Sequence, residues 1–130
     1  IDIVLTQPES VVKKPGETVR LSCAVSGSDT STYGVIWVKQ VPWQRMEWLL
    51  HYYSSNNKKF APGIEGRFTP SQERNTAYLV ITNLNADDTA IYYCVRQPIF
   101  RDGIRWYLDY WGSGTFVEVN SVTQAAPSVY

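Results

Sequence analysis

The sequence predicts an all-β chain, built as a sandwich or a barrel. Three observations carry that expectation. Ten short β-rich runs recur between turn signals, helical periodicity is nearly absent, and each of two cysteines falls on the inward face of an alternating run. Many short strands separated by regular turns are the pattern of a two-layer or closed β structure.

The runs, in chain order, are Ile3–Gln7, Val11-Val12, Thr18–Val25, Val35–Gln40, Glu47–Tyr53, Arg67–Thr69, Thr76–Ile81, Ala90–Arg96, Tyr107–Tyr110 and Thr115–Asn120. Their separators are rich in turn formers: Lys14-Pro15-Gly16-Glu17, Gln40-Val41-Pro42-Trp43, Ser54-Ser55-Asn56-Asn57 and Ala61-Pro62-Gly63. In Val19-Arg20-Leu21-Ser22-Cys23 the odd positions are apolar and the even ones polar. In Ala90-Ile91-Tyr92-Tyr93-Cys94 one face carries Ala90, Tyr92 and Cys94. Period-two alternation marks a strand with one buried face. Pro70 has no amide proton to give to a ladder, so the run after Phe68 belongs at a sheet edge. Asn83–Asp88 reads as a single helical turn before the strand bearing Cys94. No internal repeat or low-complexity stretch occurs.

Length and composition narrow the possible functions. The chain has 130 residues, one domain's worth, and 12 Lys+Arg balance 12 Asp+Glu. Mixed charges with zero net leave no electrostatic footprint for nucleic acid or an anionic membrane. One His and two Cys cannot make a four-ligand zinc cage without carboxylates, so no metal or other cofactor is expected. No apolar run reaches membrane-spanning length. The first residues, Ile1–Gln7, lack a basic segment followed by a long apolar stretch, so any secretory signal is expected to have been removed or never included. Aromatic residues make up 14% of the chain, more than a small core needs. The 71-residue spacing of Cys23 and Cys94, both facing inward, allows an inter-sheet bridge or two buried free thiols.

Combined, these residues resemble an immunoglobulin variable domain of heavy-chain type. Cys23, Trp37 fourteen residues on, and Cys94 are similar to the Cys…Trp…Cys spacing of that family. Asp88-Thr89-Ala90-Ile91-Tyr92-Tyr93-Cys94 resembles its Asp-x-Ala-x-Tyr-x-Cys motif. Trp111-Gly112-Ser113-Gly114-Thr115 is similar to a heavy-chain joining segment, as Trp37-Val38-Lys39-Gln40 and Glu47-Trp48 are to heavy-chain framework. The resemblance implies an all-β, two-sheet antiparallel V-type sandwich with Greek-key connections over residues 1–120. It also implies a Cys23–Cys94 disulfide packed on Trp37 and hence an oxidising, extracellular setting. Tyr92 would be the tyrosine-corner residue. Arg67 would pair with Asp88, with Lys39 nearby, and Arg96 with Asp109 at the base of a loop. Residues 121–130 resemble a linker and the opening of another immunoglobulin-type domain.

The resemblance also places function at one end, in three loops near Gly27–Val35, His51–Lys59 and Gln97–Tyr110. Their composition argues independently for recognition, because Tyr, Ser and Asn combine rigid amphipathic rings with small adaptable hydrogen bonders. The expected antigen contacts are Asp29, Ser31, Thr32 and Tyr33 in the first loop. In the second they are His51, Tyr53, Ser54, Ser55, Asn56, Asn57 and Lys59. In the third they are Ile99, Phe100, Arg101, Asp102, Ile104, Arg105, Trp106 and Tyr107. Ser54–Asn57 is also plain turn chemistry, which leaves the neighbouring Tyr33, Tyr52 and Tyr53 unexplained. The 14-residue third segment exceeds an ordinary hairpin connection, and its aromatics and arginines are typical interface anchors. The loops show no charge bias, which favours a protein antigen over a hapten.

Val38, Gln40, Met46, Trp48 and Trp111 keep an apolar partner face, but Arg45 sets a charge at its border, and Trp43 and Arg45 stand where heavy chains usually have glycine. Burying an unpaired charge is costly. A light-chain-type or receptor partner, an unusual partner, or none are therefore all open. Two other readings stand beside the antibody one: a heavy-like T-cell receptor delta or mu chain, and a non-diversified adhesion-type domain. An enzyme is not expected, because no Ser/His/Asp order, phosphate loop or Cys/His pair is present and no catalytic residue can be named.

Overall fold

The computed structural model describes residues 3–27, 33–98 and 110–121. Eleven strands are defined there: β1 (Val4–Thr6), β2 (Ser10–Lys13), β3 (Val19–Ser26), β4 (Tyr33–Gln40), β5 (Met46–Ser54), β6 (Asn57–Phe60), β7 (Phe68–Glu73), β8 (Thr76–Ile81), β9 (Ala90–Pro98), β10 (Tyr110–Trp111) and β11 (Thr115–Val119). They form two sheets. One runs β1-β3-β8-β7; the other runs β2-β11-β9-β4-β5-β6, with β10 also paired to β9. All pairings are antiparallel except β2 with β11, which is parallel.

The alternation read from the sequence builds the core. Val19, Leu21, Cys23 and Val25 of β3, Ala77, Leu79 and Ile81 of β8, and Ala90, Tyr92 and Cys94 of β9 all face inward and are buried. Cys23 and Cys94 form the disulfide that ties the sheets together, and Trp37, 1% exposed, lies in the same cluster. A cross-link closing a loop of this length adds about 4 kcal/mol in the chain-entropy account.

Four readings need correction. Asn57–Phe60 is a strand, where the sequence showed only loop; its polar residues belong to an exposed edge and so carry no alternation. The strand after Arg67 runs to Glu73, with Pro70 inside it, and lies on a sheet edge where its missing amide costs no ladder bond. Strand β9 continues through Pro98, so Gln97 and Pro98 belong to a ladder with β4 and not to a loop. The fourth is Tyr52, which is 8% exposed and part of the core.

The base of the sandwich is organised around Asp88. Asn85 caps a 3-10 turn, Ala86–Asp88: its side chain accepts from Asp87 N (2.8 Å), and Asp88 Oδ2 accepts from Asn85 N (2.9 Å), a reciprocal capping box. Arg67 closes on the same carboxylate with two bonds, Nη1 to Oδ2 at 2.9 Å and Nη2 to Oδ1 at 3.0 Å. Tyr92 Oη donates to Asp88 O at 2.6 Å, and Lys39 Nζ donates to Asp87 O at 2.9 Å. Burial pushes the Asp88 carboxyl up. The Arg67 and Asn85 hydrogen bonds and the charges of Arg67 and Lys39 outweigh that and hold it below its ordinary value. Burial, and then the charge of Asp88, drive the Tyr92 hydroxyl well above its ordinary value.

A second knot was not visible in the motifs. Gln7 is 7% exposed, at the point where the chain leaves the β1 sheet for the β2 sheet. Its Nε2 donates to Tyr92 O (2.9 Å), and its Oε1 accepts from Cys94 N (3.2 Å) and Gly114 N (3.0 Å). Gly112 lies so close to this amide that any Cβ would collide with it. Gly114 adopts φ 91°, a left-handed conformation that suits glycine, beside Ile91 and Tyr93.

The Arg67–Asp88 pair makes an asymmetric prediction. Asp88 is 2% exposed and the Arg67 side chain 35%, so losing the arginine strands a buried charge, whereas losing the carboxylate leaves a cation that water can reach. Arg67→Ala should cost about 3 kcal/mol in urea unfolding at neutral pH, and Asp88→Asn clearly less. Because the folded carboxyl titrates below its unfolded value, its stabilisation is present above the ordinary carboxylate range and is lost as pH falls through the folded value. Asp88→Asn should remove that acid-side loss; the reverse order of costs would refute the assignment.

Candidate recognition site

Ladder registers bring the candidate loops to one end. Tyr33 pairs with Pro98 and Gly34 with Gln97 between β4 and β9, while Val35 pairs with Tyr52 of β5 and Ser54 with Asn57 of β6. The β3–β4 connection, the β5–β6 hairpin and the β9–β10 connection therefore meet the larger sheet at the same end of its strands.

Of the expected contacts, Asp29, Ser31 and Thr32 lie outside the described residues, as do Ile99, Phe100, Arg101, Asp102, Ile104, Arg105, Trp106 and Tyr107. Asp109 does too, while Arg96 is buried at 1% exposure. Tyr33 opens β4. The second segment is a tight hairpin and not the nine-residue loop expected, because β5 continues to Ser54 and β6 begins at Asn57. Only Ser55 and Asn56 stand between the strands, residues suited to a turn. Ser54, Ser55, Asn56, Asn57 and Lys59 are exposed. Strand alternation sends Tyr52 into the core and turns His51 and Tyr53 to the other face, both half-buried.

His51 and Tyr53 form the best-defined feature of this end. Their rings stack at 4.2 Å, and Tyr53 Oη lies 3.2 Å from His51 Nδ1. Gly34 makes the room, because a Cβ there would approach His51 Nε2 and Tyr53 Cε1 to 3.0 Å. Among the described residues the buried His51 Nε2 has no hydrogen-bond partner. Burial first, and then the charge of Lys59, paired with His51 across the ladder, lower the imidazole pKa from its ordinary 6.5. The pair is a fixed aromatic ledge beside a polar tip.

The residues expected to form a partner face lie on the same sheet. Met46, Trp48 and Trp111 are 45%, 41% and 49% exposed, and Trp111 meets Tyr93 edge-on at 5.9 Å. Gln40 is half-buried and Arg45 exposed. Val38, opposite Trp48 in register, is 8% exposed and so already covered within the domain. Isolated exposed apolar residues are ordinary, but several on one face mark an interaction surface. Among the described residues no group of three or more His, Cys, Asp or Glu could hold a metal ion, and no helix is long and apolar enough to cross a membrane.

A two-sheet sandwich with a buried inter-sheet disulfide on a tryptophan, a tyrosine corner and a Trp-Gly-x-Gly segment between β10 and β11 defines a class, and the chain belongs to it: the immunoglobulin V-set domain family matches residues 6–119. Within that class it is an antigen-recognition variable domain of heavy-chain type. It is 54% identical over 123 residues to the IgW heavy chain V region W26 of Heterodontus francisci, a match spanning 95% of this chain and all of that relative. This similarity favours the antibody reading over a T-cell receptor chain.

The residues that sequence reasoning missed here are Gly34 and the stacked role of His51. The available signal was a small residue in a β-branched and aromatic strand, Tyr33-Gly34-Val35-Ile36-Trp37, which marks close approach of a neighbour.

The lowered imidazole pKa has a definite sign. The unfolded chain takes up a proton first as pH falls below 6.5, so stability declines on the acid side of that value, well above the Asp88 range. His51→Phe should flatten the melting temperature between pH 7.5 and 5.5; an unchanged slope would show that His51 is not buried in this way. Gly34→Ala should displace the Tyr53 ring and lower stability by about 1 kcal/mol, the scale of overpacking a filled site.

Proposed function

We propose that this domain binds a macromolecular antigen, more readily a protein than a hapten, outside the cell. Recognition is its task and catalysis is not. The observation that carries the reading is the convergence of the β3–β4, β5–β6 and β9–β10 connections, set by the registers Tyr33↔Pro98 and Ser54↔Asn57. The exposed tip Ser54-Ser55-Asn56-Asn57 stands there beside the His51–Tyr53 ledge, the composition of an adaptable polar rim on a rigid aromatic base. The contacts proposed are Asp29 and Ser31–Tyr33, then His51, Tyr53–Asn57 and Lys59 of the hairpin, and Ile99–Asp102 with Ile104–Tyr107 of the third segment.

The second surface is the apolar face of Met46, Trp48 and Trp111, with Gln40 beside them. We infer that it docks a light-chain-type variable domain. Three large apolar side chains left nearly half exposed on one sheet face favour a covered state over an isolated domain.

Two experiments test the reading. Sequencing the corresponding transcripts from single cells of one individual should give a different Gln97–Tyr110 segment in each clone, and a fixed segment would support the adhesion-type alternative. With a bound antigen in hand, Phe100→Ala or Trp106→Ala should weaken binding by about 1–3 kcal/mol, as for aromatic interface anchors. Full affinity after replacing every third-segment aromatic would place recognition elsewhere.

A further inference from the structure

Among the described residues Trp43 is the most exposed large apolar side chain, at 101%. Its backbone is also in the left-handed region, φ 67°. The turn is closed by Gln44 N donating to Val41 O at 3.0 Å, with Pro42 and Trp43 at the two central positions. In a turn of this kind the second central position requires positive φ and takes glycine or asparagine; a bulky L-residue is disfavoured there. Trp43 therefore weakens the free domain twice, by backbone strain and by leaving an indole in water. It gains no packing in return. The groove of about 520 Å³ behind the turn, walled by Lys39, Pro42, Gln44, Glu47 and Asp87, does not include it. Strain that the surrounding structure does not repay points to a role outside the domain.

The position of the turn says where that role lies. Gln40 and Met46 are register partners at the ends of β4 and β5, so the turn between them borders the face that carries Met46 and Trp48. Arg45, next to Met46 in the chain, is exposed. Among the described residues it has no carboxylate partner. A guanidinium at the rim of an apolar contact is a penalty with a neutral partner and an attraction with an acidic one. Trp and Arg are also the side chains that concentrate binding energy at interfaces.

We propose that Trp43 and Arg45 extend the pairing face into a second contact, which a light-chain-type variable domain meets with an apolar socket for the indole and a carboxylate for the guanidinium. The inference rests on the pairing reading above and gives the partner's chemistry. Arg45 then sets specificity: it admits a domain with Asp or Glu at the facing position and rejects one with a neutral or basic residue there.

The test is a displayed library of light-chain-type variable domains, randomised across the pairing face and selected on this chain. Selected clones should be enriched in Asp and Glu. Their binding should fall about ten-fold or more against Trp43→Gly and against Arg45→Glu, the loss expected for anchor residues. Changing a clone's selected acid to Lys should restore binding to Arg45→Glu. Trp43→Gly should at the same time raise the melting temperature of the free domain, an opposite pair of effects that a purely structural residue would not give. Clones that bind wild type, Trp43→Gly and Arg45→Glu equally, without acidic enrichment, would overturn the proposal while leaving pairing intact. A selection that yields no binding clone would instead overturn the pairing reading itself.

Discussion

Strand β9 is held from three directions at once, and the rest of the domain is arranged by that restraint. Cys94 ties it covalently to β3 in the opposite sheet. Gln7 takes up Tyr92 O and Cys94 N from the side, at the crossing between sheets. Tyr92 Oη anchors its lower part to the backbone of Asp88, whose carboxylate is already saturated by Arg67 and Asn85. A strand fixed at these points has no freedom of register. Its partner β4 then pairs from Tyr33 to Gln40, and the β3–β4 and β9–β10 connections leave the sandwich side by side.

The two ends of the molecule consequently do different things. At the base, charge is buried and satisfied: a carboxylate with backbone and guanidinium donors, a capped 3-10 turn, and a lysine on a carbonyl. At the other end Arg96 is buried near the close of β9, while a short polar turn faces outward beside the half-buried aromatic stack. Trp43 is the exception at the base. It breaks the local rule for its turn without compensation nearby, and the adjoining apolar face is where compensation is available.

The sequence was informative where a residue type had one structural meaning. The alternation around Cys23 and Cys94, the Asp88–Tyr92 spacing, and the edge position of Pro70 all depend on local geometry that the chain itself specifies. It was uninformative where polarity and structure part company. Asn57-Lys58-Lys59-Phe60 reads as loop because an edge strand exposed to water has no apolar face to reveal it. Tyr52 looked like a recognition residue from its neighbours' composition, while alternation from Leu50 in the core sends it inward. Gln7 was a clue left unused: it shares the inward parity of Leu5, and a buried polar residue in that register needs partners. Apart from Tyr33, the antigen contacts expected in the first and third segments rest on composition and family resemblance and lie outside the described residues.

The restraints on β9 lie within the framework, through Cys94, Gln7 and the Asp88 base, and none of them involves the segment between Pro98 and Tyr110. The most direct measurement replaces Ile99–Leu108 with an unrelated sequence of equal length and compares unfolding free energy and antigen binding with the original. A framework held through β9 should change in stability by no more than about 1 kcal/mol, near the scale of surface substitution, while antigen binding is lost. Collapse of the fold on replacement would show that the segment is part of the framework, and binding that survives it would place recognition elsewhere.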